Sequence, residues 1–307
     1  MRKHIIWLVA AACIMAAPSC KKTETTTTTP SLTGLTLSEA VPYVRAGEVV
    51  SVTADVSDIY ASDHTDPGEL GIIWQLNEEK KDTLDLKKTD KKVKVEYSVT
   101  ETGKYTINCY VYAKGGNYYN ATASREFKCI DPDTALTGVN PSETVTIGGL
   151  VWQTRNLSGT ESGVSYKDAS CVDGLFGKYY TWEEALTACP DGWHLPSAAE
   201  WDSLGQSAGD LMAKALFMDE EMWEAALGQS ITDLKGFSAI PTGYQDKTGS
   251  MYSFRCYGKY ALFWTSTISA EDDELAELRY IIYDQDTVIE GTGDKKTLAL
   301  SVRCVED

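Results

Sequence analysis

The sequence predicts two folded units in tandem, an all-β sandwich over residues 35–131 and an α+β unit over residues 140–307. Three observations predict this. Across residues 35–130, apolar and polar residues alternate in short runs bounded by turn formers, and helical periodicity is absent. Across residues 179–204 (YYTWEEALTACPDGWHLPSAAEWDSL), two capping boxes flank one cysteine and a Pro-Asp-Gly stop. The terminal SVRCVED ends the second unit on a cysteine-bearing strand, which suggests a closed domain.

Residues 1–19 read as an export signal. Arg2 and Lys3 are followed by the apolar run IIWLVAAACIMAA, too short to span a bilayer. Small residues precede Cys20, as a bacterial lipoprotein signal peptidase requires, so Cys20 is expected to carry lipid. The alternative is ordinary secretory cleavage near Ala17, which leaves Cys20 a spare thiol. Residues 20–34 (CKKTETTTTTPSLTG) are Thr-rich and read as a flexible tether from the membrane. This predicts an outer membrane lipoprotein on the cell-surface or periplasmic face, and Lys21 and Lys22 speak against surface export.

In the first unit, VVSVTADV (49–56) and VKVEYSV (93–99) alternate, and GIIWQL (71–76) reads as a central strand with Trp74 in the core. GKYTINCYVYA then runs into a Gly115-Gly116-Asn117 turn and returns through residues 121–129. A bridge between Cys109 and Cys129 across this hairpin requires a bulge or offset. The acidic loop SDHTDPGE (62–69) reads first as solvated and second as a calcium loop. With Trp74 upstream, GKYTINCYVYA resembles the PKD and immunoglobulin-like modules of bacterial surface proteins, which implies a spacer or interaction surface.

Residues 131–141 form a turn-rich linker, and TVTIGGLVW (144–152) is a hairpin. Thr181 with Glu184 caps a first helix and Ser197 with Glu200 a second. Residues 220–227 show the spacing of a third, amphipathic helix. GFSAIPTGY (236–244), ALFWTST (261–267), residues 278–283 and residues 298–305 complete the unit as strands and turns.

The net charge of −17 excludes a general nucleic-acid role and argues against direct adhesion to anionic lipid. Beyond Cys13 and Cys20, the six remaining cysteines of an exported chain favour disulfides. No CxxC pair occurs, and His64 and His194 are the only histidines past the signal. No metal site and no cofactor is therefore expected. His194, between Trp193 and Leu195, reads as a packed histidine. No Gly-x-Ser-x-Gly elbow is present, and the abundance of carboxylates makes any one pair uninformative, so no catalytic residue is assigned. The acidic run 271–274 reads as a solvated face. The aromatic residues are the better lead. Tyr244, Tyr252, Tyr257 and Tyr260, with Tyr179, Tyr180, Tyr280 and Tyr283, are candidates to stack on a sugar or anchor a protein ligand.

The runs TIGGLVWQTRNL, LTACPDGWHLPSAAEWDSL, GFSAIPTGY, FWTST and SVRCVED together resemble the Fibrobacter succinogenes major paralogous domain, a family common in exported proteins and lipoproteins of gut and rumen Bacteroidetes-type bacteria. The helix-cysteine-Gly-x-x-Leu-Pro-x-x-x-Glu-Trp part is also similar to the C-type lectin-like fold. That resemblance implies a bridge from Cys189 to Cys304, and by elimination one from Cys171 to Cys256. The Glu-Pro-Asn and Trp-Asn-Asp triplets of calcium-dependent sugar-binding lectins are missing, and residues 263–267 stand at the comparable place without carboxylates. The cysteine pair of the related formylglycine-generating fold is likewise not recognisable. The expected function is a non-enzymatic, lipid-anchored adhesion or ligand-binding module for glycan or protein, its binding face in the loops of 235–294. The alternative is a structural or tip subunit of a surface pilus-like assembly.

Overall fold

A computed structural model describes residues 29–248 and 251–307. The expected signal segment, Cys20 and most of the tether lie outside the described residues. The first unit contains β1 (Leu32–Thr33), β2 (Thr36–Leu37), β3 (Tyr43–Arg45), β4 (Val49–Asp55), β5 (Tyr60–Ala61), β6 (Leu70–Leu76), β7 (Glu79–Leu86), β8 (Lys92–Ser98), β9 (Gly103–Ala113) and β10 (Ala121–Ile130). It begins earlier than the sequence suggested: β1 pairs with β5 and buries Leu32, so residues 31–34 belong to the sandwich and not to the tether.

Two sheets, β3-β10-β9-β6-β7 and β2-β4-β8, enclose a common core. The period-2 alternation explains which side chains enter it. Val50, Val52 and Ala54 point inward from β4, and Ile72 and Trp74 from β6. Each fully buried valine or isoleucine among these contributes roughly 1.5–3 kcal/mol.

The cysteines of this hairpin are not bonded to each other. Cys109 pairs in register with Ala123, and Cys129 with Gly103, six positions further along β9. At about 3.4 Å per residue the two lie roughly 20 Å apart, beyond disulfide reach. Both are buried free thiols, and burial pushes the Cys109 thiol up to about 12.

The second unit contains β11 (Leu136–Thr137), β12 (Thr144–Ile147), β13 (Leu150–Gln153), α1 (Asp173–Phe176), α2 (Trp182–Ala188), β14 (Trp193–His194), α3 (Ala198–Asp202), β15 (Leu216–Phe217) and β16 (Glu220–Glu221). It continues with β17 (Tyr244–Thr248), β18 (Met251–Arg255), β19 (Tyr260–Ile268), β20 (Leu275–Ile282), β21 (Ile289–Asp294), β22 (Leu298–Ala299) and β23 (Val305–Glu306). The described chain as a whole is mostly β, in several sheets. Both capping boxes form as read. The Thr181 and Ser197 hydroxyls accept from the Glu184 and Glu200 amides, and each glutamate reaches back to its cap amide.

The expected third helix is absent. Met218 and Asp219 take left-handed φ of 51° and 63° and turn the chain tightly, so that β16 folds back on β15. Near the end of the GFSAIPTGY run, Gly243 takes φ 68°, where an added Cβ would stand 2.0 Å from the Arg255 carbonyl oxygen.

Candidate ligand-binding groove

The frame of the second unit is a set of side chains that bind backbone. Cys189, the residue ending α2, is bonded to Cys304, with Cα atoms 5.9 Å apart and a sequence separation of 115. The Trp182 indole donates to the Thr265 carbonyl at 2.8 Å, and the Trp264 indole to the Tyr180 carbonyl at 2.8 Å, so α2 and β19 brace each other.

Arg303 is 1% exposed. Its guanidinium donates to Asn156 Oδ1 at 2.7 Å and to the carbonyls of Gln153, Phe237 and Ser238, and it lies 4.6 Å over the Phe237 ring. Burial lowers its pKa to about 9, which still leaves the group charged at neutral pH. Asp233, itself raised by burial, receives the Ser238 hydroxyl and amide nearby.

This frame meets the sandwich along an aromatic seam. Tyr43, from β3, stands edge-on to Phe217 at 5.2 Å and to Phe176 at 5.9 Å, and is tilted 6.2 Å from Tyr166. Lys104 and Lys128 of the sandwich reach Glu220 of β16 at 2.5 and 3.2 Å. Beside the seam opens a groove of about 1080 Å³. Residues 39–42, Arg125 and Glu126 form its sandwich wall, while Tyr252, Ser253 and Phe254 of β18, with Lys296 and Thr297, form the other. The lining carries charge of both signs, and Lys296 is paired with Glu274 at 2.8 Å. β18 is the outer strand of its sheet, β18-β17-β22.

The structure scatters the four tyrosines expected to form one face. Tyr252 is 56% exposed, lines the groove and carries Lys247 Nζ 5.4 Å from its ring. The Tyr257 hydroxyl is buried against Tyr43, and burial pushes it far above the usual phenol range. Tyr244 and Tyr260 pack against the core around Trp264, Tyr260 stacked on Tyr280 at 6.3 Å. The sandwich wall and Lys296 were not legible as site residues, because a seam between two units leaves no local pattern in either.

The expected bond between Cys171 and Cys256 is also absent, and both thiols are free. Cys171 lies in a tight turn facing Arg45 and Glu48, whereas Cys256 sits in a left-handed turn beyond β18. A pairing by elimination carries no geometry, and here the two elements face different neighbours. In the acidic loop, the Asp63 carboxylate accepts from Thr65 and that of Asp66 from the Gly68 amide. Among the described residues no group of three or more His, Cys, Asp or Glu is placed to hold a metal ion.

The model of the Fibrobacter succinogenes major domain matches residues 145–306, more than half of the chain and nearly the whole second unit. The chain belongs to the Fibrobacter succinogenes major domain family. No curated protein matches it. Solved structures resemble it only distantly. The Yersinia pseudotuberculosis adhesin InvE is 11% identical over 90% of this chain and 70% of that one, with a TM-score of 0.27. A CARDB domain from Pyrococcus furiosus, solved with di-metal ions, is 14% identical over 33% of this chain and 90% of that one, with a TM-score of 0.25. A conjugative transposon lipoprotein from Bacteroides eggerthii is 12% identical over 30% and 93%, with a TM-score of 0.24. At such scores none of the three carries an argument about this member of the major domain family.

Within the major domain, His194 stands between two carboxylates, Asp307 at 2.8 Å from Nδ1 and Glu200 at 3.0 Å from Nε2. It therefore closes α3 onto the final strand. No helix among the described residues is long and apolar enough to cross a membrane.

Proposed function

We propose that this chain is a non-enzymatic, lipid-anchored envelope protein whose groove between sandwich and major domain binds an extended protein segment. The anchor would be Cys20, and the sandwich would act as an immunoglobulin-like spacer. We read the major domain as C-type lectin-like, on the strength of a helix-end cysteine bonded to the last strand. The observation that carries the binding assignment is that the outer strand β18 presents Tyr252, Ser253 and Phe254 to the groove. An outer strand offers backbone donors and acceptors to an incoming strand, and the mixed charges opposite suit a polar peptide backbone. A glycan is the other ligand class such an aromatic lining serves.

The test has two parts. Protease shaving of intact cells, followed by immunoblotting against residues 140–307, establishes whether the major domain faces outward. Display selection of unstructured peptides on the purified chain, repeated with Tyr252→Ser, then tests the groove. Selected peptides should lose about tenfold in affinity, as expected for losing one aromatic anchor. Binding on a glycan array with no peptide selected would overturn the protein-segment reading. Selection of strands from an envelope pilin would move the protein to a surface assembly.

A further inference from the structure

The five-stranded sheet of the sandwich turns one face to the core and the other to solvent. Period-2 alternation puts Gly71, Ile73 and Gln75 of β6 on the outer face, because Ile72 and Trp74 point inward. The register then builds three rows across the strands. Gly71 stands beside Tyr112, Ile73 beside Tyr110 and Gln75 beside Asn108. β10 extends two of these rows, with Thr122 beside Tyr110 and Ser124 beside Asn108.

Three observations single this face out. The first is the way Tyr112 lies. A Cβ added to Gly71 would stand 2.5 Å from its Cζ and 2.7 Å from its Cε1, so the ring leans across β6 into the space that a side chain at 71 would fill. Gly71 is buried beneath it while Tyr112 stays half-buried, so one face of the ring rests on the sheet and the other is turned outward. The second is unused hydrogen-bonding capacity. Among the described residues, the side chains of Gln75, Asn108, Tyr110, Tyr112, Thr122 and Ser124 make no hydrogen bond. The third is charge. These positions carry none, in a chain of net charge −17. Charged groups stand only at the margins: Lys80 and Asp85 on the outer strand β7, and Glu126 beyond Ser124. Asp85 is paired with Lys114 at 2.7 Å.

These features narrow the occupant. A charged ligand would give up hydration over the strip and meet no counter-charge in it. A stable protein partner needs more room. From Asn108 to Tyr112 is roughly 14 Å and the three strands span about as much, so the strip offers roughly 200 Å² where a standard interface takes about 800 Å² from each partner. A neutral sugar chain fits both limits. Its hydroxyls answer the amides and hydroxyls of the strip, and its C–H faces stack on the outward face of Tyr112.

We propose that the outer face of this sheet binds a neutral polysaccharide, with one sugar ring stacked on Tyr112 and its hydroxyls held by Asn108 and Gln75. The sandwich thereby holds a ligand of its own, besides spacing the major domain. The strip is independent of the groove and shares none of its residues.

The experiment is affinity electrophoresis of the full chain in native gels containing glucomannan, xylan, laminarin or amylopectin, with polygalacturonate as the charged comparison. At least one neutral polysaccharide is expected to retard the chain, and polygalacturonate to leave it unretarded. Tyr112→Leu keeps apolar volume over Gly71 but removes the ring, and should weaken the retardation about tenfold, whereas Tyr112→Phe should keep it. Asn108→Ala, on the solvated face, should weaken it about fivefold, the effect of losing one hydrogen bond. Unfolding midpoints close to that of the wild type separate a lost contact from a lost fold. Tyr252→Ser should leave the retardation unchanged, since it lies in the groove. Failure of all four neutral polysaccharides to retard the chain would overturn the proposal. So would undiminished retardation in Tyr112→Leu and Asn108→Ala, or its loss in Tyr252→Ser.

Discussion

The sandwich and the major domain solve the same problem by different means. In the sandwich, β9 pairs with β10 over nine consecutive positions and with β6 over seven, so backbone ladders alone fix the register. In the major domain, β19, β20 and β21 form one ladder, but β14, β22 and β23, which close the unit, are two residues each. Its buried carbonyls are met instead by side chains: Arg303 takes three, and Trp182, Trp264 and Tyr179 take one each. An unmet buried carbonyl costs about 1–3 kcal/mol, so these few donors replace what a ladder would supply. Damage in the sandwich should therefore be graded, whereas damage at a few positions of the major domain should be severe.

The largest expected effect comes from opening the Cys189–Cys304 bridge, which closes a loop of 115 residues. The loop-entropy account assigns such a closure ~5 kcal/mol. Cys304→Ala should bring the unfolding transition of the major domain far down while leaving that of the sandwich in place. Two-probe chemical denaturation, with far-UV and tryptophan signals, would resolve this. Reductant should reproduce the effect in the wild type and add nothing in the variant. A major domain that unfolds unchanged without the bridge would break the contrast.

A smaller effect tests whether the two units are energetically joined. Tyr43 belongs to the sandwich by sequence, yet its ring is 9% exposed among Tyr166, Phe176 and Phe217 of the major domain. Tyr43→Ala should cost about 3 kcal/mol, the usual loss on emptying an aromatic site. The cost should appear as a lower midpoint in both transitions, since each unit loses the contact. Unshifted midpoints in the variant would mean that the seam contributes little and that Glu220 with its lysines holds the units together instead.

The same contrast explains what could be read from the sequence. Alternation in VVSVTADV gave β4 with its faces correctly assigned, because a ladder obeys a local rule. The two capping boxes were equally legible, since each is closed within four residues. Residues 220–227 misled because their spacing is helical while the Met218-Asp219 turn, without glycine or asparagine, gives no sign of itself. Arg303 was legible only as one residue of a strand, and its donors reach carbonyls some 65 to 150 residues away. The groove was legible only through Tyr252 and Tyr179, because its other wall lies on a different folding unit.

The smallest expected effect is a pH dependence confined to the major domain. His194 joins the strand end, through Asp307, to the first turn of α3, through Glu200. Burial alone would lower its pKa, but the hydrogen bonds to Asp307 and Glu200 outweigh burial and raise it above the ordinary value. A neutral imidazole can donate from only one nitrogen, so deprotonation turns one of these two contacts against a carboxylate. The sign follows from the direction of the shift. The contribution is complete below the unfolded histidine pKa, about 6.5, and is lost as pH rises through the higher folded value. Glu200 sets the other limit: burial would raise it, yet the Ser197 and His194 contacts hold it lowered, so its share fades only as pH falls through that lowered value. His194 is 40% exposed at its side chain, so solvent weakens the effect and only its direction is assigned. Thermal melts from acidic to mildly alkaline pH should show the major-domain transition falling as pH rises from about 6.5, with the sandwich transition level. His194→Gln should flatten that slope, and an equal slope in the variant would place its origin elsewhere.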